Sequence, residues 1–278
     1  MNYNSLCPVC NKKEGLRPFK WGKYDLIHCI VCELDYCGEM IEKEKGGNSS
    51  PVNLSGIKMM SDVFHRTEKL ASLFTIKRKL FYEKLLNRNC EKVLEVGCGP
   101  GVFYKPWNKL NVDWFGTDIN PLWSEFGKKN EVPISNKPID LIENKFDVIT
   151  AHQVIEHVED PLKFMKAIKS LLKPRGVVHL ELPNQFGLSA RLRKISPKIS
   201  KDYGFIQPPM HLRAYSKETI KYLFDSLGLQ SQMAFTCGNT NKIWGQAREY
   251  SLPQKLYYTF SGKIGMGSLL IGIAQIKS

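Results

Sequence analysis

The sequence predicts an α/β protein, a mainly parallel sheet covered by helices on both faces and preceded by a small cysteine-rich unit. Three observations carry this expectation. Short β-rich runs alternate with helical ones through most of the chain, a glycine-rich turn follows the first of those runs, and two Cys-x2-Cys pairs stand near the N-terminus.

The cysteine-rich unit is placed at residues 1–45. It contains Cys7-Pro8-Val9-Cys10 and Cys29-Ile30-Val31-Cys32. Each pair lets two thiolates reach one ion from a tight turn, and two pairs complete a closed tetrahedral zinc site. Four thiolates leave no open coordination position, so Cys7, Cys10, Cys29 and Cys32 point to a structural zinc. The segment between the pairs ends in Tyr24-Asp25-Leu26-Ile27-His28 and has strand character, which makes the unit a zinc ribbon. So small a unit buries too little surface to fold without metal.

Residues 46–60, beginning Gly46-Gly47-Asn48-Ser49-Ser50-Pro51, read as a linker. From Ser61 apolar residues recur at helical spacing (Val63, Phe64, Leu70, Phe74, Leu80, Phe81, Leu85), predicting one long helix or two in sequence. The second domain then occupies 61–278. Its clearest strands are Lys92–Val96, Trp114–Thr117, Phe146–Ala151 and Val177–Leu182. A helix between the last two is capped by Asp160, carries Pro161 in its first turn and ends at Lys173-Pro174-Arg175-Gly176. A second capped helix follows Ser216 and stops at Gly228.

The glycine turn reads Val93-Leu94-Glu95-Val96-Gly97-Cys98-Gly99-Pro100-Gly101. Missing side chains there let a ligand lie against the backbone. Val102 stands where a dinucleotide fingerprint places its third glycine or alanine. Glu95, at the strand end, repels a pyrophosphate but suits an ammonium group. Asp118 closes the next strand, where an acid accepts hydrogen bonds from both ribose hydroxyls. The ligand therefore contains a ribose and a cation, with no phosphate requirement.

These residues resemble the class I S-adenosylmethionine-dependent methyltransferases, in particular the branch with the ubiquinone-biosynthesis O-methyltransferases and many sugar and natural-product methyltransferases. The matching pieces run in order from Val93–Gly101 through Gly116–Ile119, Phe146–Thr150, Glu156–Pro161, Leu172–Gly176, Leu182–Asn184 and His211–Ser216 to Gly265–Ser268. The resemblance implies a Rossmann-like seven-stranded sheet whose last strand is antiparallel. It further implies S-adenosylmethionine as cofactor, with Gly97, Cys98, Gly99 and Gly101 forming its loop. Glu95 lies near the amino-acid end, Asp118 holds the ribose and Ile119 packs on the adenine. His152, Gln153 and Val154 pass beneath the methionine portion, and Asp140 is the nearest acid for the adenine amino group. In some relatives zinc ribbons precede the domain, with a glycine after each knuckle. Here Asn11 and Glu33 stand there, and Glu33 suggests a looser second knuckle.

Methyl transfer from a sulfonium is largely a matter of positioning, but a hydroxyl acceptor must also lose its proton. His157 and His211 are the candidates for that base, His157 having a scaffold role as its alternative. The resemblance also carries a divalent-cation role for acids and the histidine of this region, here Glu156 and His157. Residues 184–212, with basic and then aromatic and proline residues, read as a lid.

The net charge of +13 invites a nucleic-acid reading, yet the lysines are spread along the chain, and the one dense cluster is Arg191, Arg193, Lys194, Lys198 and Lys201. The expected acceptor is a small molecule or sugar, anionic or carrier-linked, and the expected reaction is O-methylation. The alternatives are an RNA methyltransferase gripping phosphates with ribbon and lid, and a binding protein that has lost catalysis. Against RNA, the chain has no Asn/Asp-Pro-Pro-aromatic motif, and Leu182-Pro183-Asn184 is a poor substitute. No basic lead-in precedes an apolar run at the N-terminus and no apolar stretch suffices for a bilayer, so a cytoplasmic setting with reduced thiols is expected.

Overall fold

The computed structural model of the chain describes residues 6–38, 54–208, 210–246 and 248–277, with the side chains of 54–67 outside that description. Three strands, β1 (Leu16–Trp21), β2 (Tyr24–Cys29) and β3 (Leu34–Cys37), form an antiparallel ribbon. Each Cys-x2-Cys turn ends on a residue in the left-handed region, Asn11 at φ 55° and Glu33 at φ 58°. The expectation of a looser second knuckle is not met. Glu33 N–H donates to Cys29 O at 2.8 Å, matching Asn11 N–H to Cys7 O at 2.9 Å. The backbone hydrogen bond closes the turn in spite of the residue type.

A single helix, α1 (Leu54–Leu86), follows. Residues 54–60, expected in the linker, are therefore helical, while 46–53 lie outside the described residues. Leu54 and Ile57 extend the helical spacing of the apolar residues backwards, and no proline interrupts it before Leu86. The buried face of α1 carries Ala71, Phe74, Thr75, Arg78, Tyr82 and Leu86, at intervals of one helical turn.

The main sheet contains β4 (Lys92–Val96), β5 (Asp113–Thr117), β6 (Ile134–Ser135), β7 (Phe146–His152), β8 (Leu172–Pro183), β10 (Leu229–Cys237) and β11 (Leu269–Ile276). Their order is β10-β11-β8-β7-β4-β5-β6. β4 through β8 run parallel, and β11 lies antiparallel between β8 and β10. This is the seven-stranded arrangement the resemblance implies.

Helices α2 (Tyr104–Asn108), α3 (Pro121–Asn130), α4 (Pro161–Leu171), α5 (Leu188–Arg193), α6 (Lys217–Ser226) and α7 (Leu252–Lys263) complete the fold. Asp160 caps α4 by accepting from Lys163 N–H at 2.9 Å, and Ser216 caps α6 through Thr219 N–H at 2.9 Å. α4 stops at Leu171, before the expected Lys173–Gly176. β8 already begins at Leu172, and Arg175 at φ 60° makes the turn inside a register shift of the β7–β8 pair.

The two-residue strand β9 (Arg213–Ala214) pairs with β3, so the ribbon sheet has the order β1-β2-β3-β9 and ends on a strand from the second domain. One apolar core runs from Cys7, Ile27 and Tyr36 through Tyr215 to Ile149 and Leu180. Among the described residues, no helix is long and apolar enough to cross a membrane.

Candidate active site

The glycine turn sits where β4 ends between β5 and β7. Gly97, Gly99 and Gly101 all have positive φ, at 66°, 51° and 71°. Their surroundings differ. A Cβ on Gly97 would stand 2.4 Å from Val154 Cγ2, and one on Gly101 2.7 Å from Val132 Cγ1, so both are packed positions. A Cβ on Gly99 would find nothing nearer than Trp123 at 3.9 Å, so Gly99 alone of the three faces open space. Gly97 N–H and Cys98 N–H both donate to Thr117 O, at 2.7 and 3.2 Å, tying the turn to the end of β5. The Cys98 thiol points inward and burial raises its pKa well above the ordinary value.

Asp118 follows at the tip of β5. Its oxygens accept from Gly99 N–H and Asn120 N–H, each at 3.0 Å. Burial raises its pKa, and those two hydrogen bonds oppose the rise. Ile119 beside it is 60% exposed, a large apolar side chain with a bare face. Asp140 lies in an exposed turn and pairs with Lys163 at 3.8 Å.

Glu95 is buried, accepts from Trp114 Nε1–H at 3.0 Å and lies 3.7 Å from His152 Nδ1. Gln153 has φ 56° and donates its N–H to Glu181 O at 2.7 Å; its side-chain amide nitrogen is buried with no hydrogen-bond partner. Val154 closes over Gly97. The structure thus brings Glu95, His152, Gln153 and Val154 around one end of the glycine turn, and Asp118 and Ile119 around the other.

The sequence reading missed a buried polar group beneath this end. Arg78 of α1, with its side chain 4% exposed, lies 3.5 Å from both Glu181 Oε2 and His152 Nε2 and donates to Ile243 O at 2.9 Å. Tyr82 OH meets His179 Nδ1 at 2.7 Å. Burial raises the Glu181 pKa, against the pull of His152 and Arg78, and lowers that of His179 well below the usual imidazole range. The signal was available: Arg78 is a lone cation one turn from Phe74 and Tyr82 on an apolar stripe, and His179 and Glu181 alternate in an otherwise apolar strand.

Glu156, His157 and His211 meet across the lid. The two imidazole rings stand 4.5 Å apart, and ligand atoms of all three residues lie within 4.8 Å of one another. His157 Nδ1 faces Met210 O at 3.0 Å and His211 Nδ1 faces Phe205 O at 3.1 Å. A carbonyl only accepts, so each neutral ring carries its hydrogen on Nδ1 and its basic lone pair on Nε2. Burial lowers the His211 pKa, and His157 lowers it further. Burial pushes Glu156 up to about 8, and neither of its oxygens has a hydrogen-bond partner.

The four knuckle cysteines are also brought together. Cys7 and Cys32 Sγ are 3.5 Å apart, Cys10 and Cys29 Sγ 3.6 Å apart, and all four lie within 4.8 Å of one another. Sulfurs on a tetrahedron with zinc–sulfur bonds of about 2.3 Å are separated by about 3.8 Å, whereas a disulfide requires about 2.05 Å. The donor set fits a zinc ion.

The basic cluster is divided: Lys194 and Arg193 are paired within the fold, while Arg191, Lys198 and Lys201 are exposed. Lys194 Nζ lies 3.3 Å from Asp35 and over the rings of Phe186 and Tyr203, and Arg193 pairs with Asp202 at 3.9 Å.

Comparison with known proteins identifies the family and the fold. The methyltransferase domain family matches residues 65–232, and the chain belongs to that family. The ubiquinone biosynthesis O-methyltransferase of Actinobacillus pleuropneumoniae is 33% identical over 109 residues, covering 34% of this chain and 47% of that protein. The enzyme of the same name from Aliivibrio fischeri is 30% identical over 150 residues, covering 47% and 64%. The chain spans about half the length of the curated relatives it matches. The plantazolicin methyltransferase BpumL, solved with SAH, superposes with a TM-score of 0.55 at 15% identity, covering 81% of this chain and 91% of that one. A methyltransferase from Archaeoglobus fulgidus gives 0.50 at 18% identity, covering 72% and 92%. The fold is that of the class I S-adenosylmethionine-dependent methyltransferases.

Proposed function

We propose that the chain transfers a methyl group from S-adenosylmethionine to a hydroxyl of a small molecule or sugar. The observation that carries this reading is the pairing of an open Gly99 with Asp118 at one end of the turn and the Glu95–His152 pair at the other. That donor set takes a ribose and a cationic amino acid, and it offers no cradle for a pyrophosphate. Gln153 supports it, because its buried amide nitrogen has no hydrogen-bond partner and can meet a carboxylate. Ile119 offers its exposed face to the adenine.

When bound, S-adenosylmethionine supplies a methyl group on a sulfonium, an activated leaving group. The residues of the chain then have three tasks. Asp118 and the glycine turn fix the nucleoside, and Glu95 with His152 sets the charge around the methionine end. His211 Nε2 takes the acceptor proton, with His157 against it; burial keeps His211 neutral and therefore basic at neutral pH. O-methylation accords with this base and with the names of the similar ubiquinone-biosynthesis enzymes. The acceptor enters through a groove between α1 and α7, lined by Leu73, Phe74, Gln246, Arg248, Tyr250 and Lys255. The groove abuts the buried Arg78 group, because Phe74 in its lining lies against the Arg78 guanidinium at 5.7 Å. Its cations suit an anionic or carrier-linked acceptor.

The second reading gives Glu156, His157 and His211 to a divalent cation, and the orphaned Glu156 carboxyl favours it. The RNA reading is weakened because Lys194 and Arg193 pair with Asp35 and Asp202, which leaves only Arg191, Lys198 and Lys201 of the cluster exposed. Cys7, Cys10, Cys29 and Cys32 hold a structural zinc in this account, the ribbon occupies 1–45, residues 184–212 are the lid, and the protein works in the cytoplasm.

The test is transfer of labelled methyl from S-adenosylmethionine into a protein-free small-molecule extract. Label in a small product, dependent on His211, is expected. Label only in RNA or protein contradicts the acceptor class.

A further inference from the structure

The described residues of the ribbon are built into the lid. β3 pairs with β9 through Asp35–Ala214 and Tyr36–Arg213, and Cys37 N–H donates to Leu212 O at 2.9 Å. Trp21 Nε1–H donates to Ser200 O at 3.2 Å, and the rings of Phe19 and Trp21 pack edge-on against Tyr203 at 4.9 and 5.1 Å.

The centre of this contact is a buried charge. Asp35 is 3% exposed, and burying a carboxylate is costly unless each oxygen is satisfied. One oxygen faces His28 Nδ1 at 2.7 Å within the ribbon. The other accepts from two lid residues, Gln185 Nε2 at 3.1 Å and Lys194 Nζ at 3.3 Å.

Gln185, itself 1% exposed, then joins the two ends of the lid. Its amide nitrogen also donates to Tyr203 O at 3.3 Å, and its amide oxygen accepts from Phe205 N–H at 3.0 Å. The approach is so close that a Cβ on Gly204, at φ 63°, would stand 2.4 Å from the Gln185 oxygen. Phe205 O is in turn the acceptor for His211 Nδ1–H at 3.1 Å. Hydrogen bonds on either side of the Phe205 backbone therefore link Asp35, through Gln185, to the His211 ring.

We propose that Asp35 of the ribbon is a positioning residue for the acceptor side of the active site, holding His211 in its Nδ1–H tautomer against His157 through Gln185 and Phe205. The functional weight of this inference rests on the reading of His211 as the base. The structural linkage stands or falls on its own measurements. The ribbon is then a brace for the lid. Lys194 reinforces it, since its ammonium is held by Asp35 and by the Tyr203 ring at 4.6 Å, inside the lid rather than towards solvent.

The test uses the full-length, metal-loaded protein with Asp35→Asn, which keeps size and shape but removes the charge that Gln185 and Lys194 share. Amide hydrogen exchange and the nitrogen NMR signals of the His211 ring are read together, with SAH titration as a separate control. The expected result is exchange at Phe205 and His211 at least tenfold faster and a His211 ring of mixed tautomer, while exchange in β4 and β7 and SAH affinity stay within twofold. Unchanged exchange and an unchanged tautomer overturn the proposal. Equal loosening of β4, β7 and the lid also overturns it, because Asp35 then serves only global stability. If Asp35→Asn does not fold, Gln185→Ala breaks the same chain one bond later and is held to the same two outcomes. A protein that binds no SAH but shows the selective lid response removes the cofactor reading and leaves the brace intact.

Discussion

The two halves of the proposed cleft, one for the cofactor and one for the acceptor, are built in opposite ways. The cofactor half comes from contiguous strand-and-turn segments: Glu95 to Gly101 closes β4, Asp118 closes β5, and His152 to Val154 closes β7. Neighbouring strands hold these ends together, so backbone pairing alone assembles the half-site. The acceptor half is gathered from the turn after β7, the end of the lid, helix α1 and the ribbon, which are far apart in sequence. Long-range contacts such as Asp35–Gln185 and His211–Phe205 do there what strand pairing does in the other half. The cofactor half should resist changes in the ribbon, and the acceptor half should not.

The largest expected effect breaks the comparison from the ribbon side. Cys10→Ser with Cys29→Ser removes two of four thiolates, so a metal content of about one zinc per chain should fall to near zero. The ribbon should unfold and free the lid, while SAH binding survives. Elemental analysis, exchange over 184–212 and titration check the three parts. Loss of SAH binding at native stability of the main sheet would show that the halves are not separable.

A smaller effect attacks the other half. Gly101→Ala puts a side chain at φ 71° and against Val132 and Trp114, at a cost of about 1–3 kcal/mol. Urea unfolding should show this loss. Gly99→Ala shares the positive φ but meets open protein space, so its additional deficit should appear in SAH affinity, where the ligand competes for that space.

The contrast also sharpens through pH. The folded-state His211 pKa is lowered by burial and by His157. The acid limb of the methyl-transfer rate should therefore lie below the ordinary histidine value of about 6.5. For stability, the unfolded chain takes up this proton first. The His211 contribution is fully present above about pH 6.5 and is lost as pH falls from there through the folded value. His211→Gln should flatten part of that decline in urea melts between pH 5 and 8. His179, lowered in the same direction, leaves a residual decline, and Glu156, raised to about 8 by burial, opposes it because its contribution is lost as pH rises from about 4.5 through 8. A chelator that abolishes transfer without disturbing the ribbon would favour the divalent-cation role of Glu156, His157 and His211 over the base role.

The smallest effect is expected from Lys198→Ala. Lys198 is exposed on the lid, and neither its side chain nor its charge belongs to the Asp35 chain. Acceptor KM should rise only about twofold, and RNA binding should depend weakly on salt, because few phosphates are neutralised. A steep salt slope would return the RNA reading to contention.

What was legible in the sequence follows the same division. Alternating β-rich and helical runs, the Asp160 and Ser216 caps and the glycine turn are local signals, and each stands in the structure where residue chemistry put it. The cysteine pairs were legible because their spacing is itself the geometry. Arg78, His179 and Glu181 were not read, since a polar residue on a buried face gains meaning only when its distant partner is known. Asp35 carried no signal of its own in the sequence, and the partners of Lys194 and Arg193, Asp35 and Asp202, are recognised only in the fold. The start of α1 was missed because the glycine- and serine-rich composition before it drew the linker seven residues too far, to residue 60 instead of the residue before Leu54.

Calorimetric titration of SAH into the wild-type protein and Asp118→Ala tests the central claim most directly. Each hydrogen bond from a ribose hydroxyl to the Asp118 carboxylate contributes about 1.5–3 kcal/mol, so losing two of them predicts saturable one-to-one binding weakened by roughly a hundredfold or more in the variant. Tight binding of NAD with no binding of SAH, or SAH binding indifferent to Asp118, would contradict it.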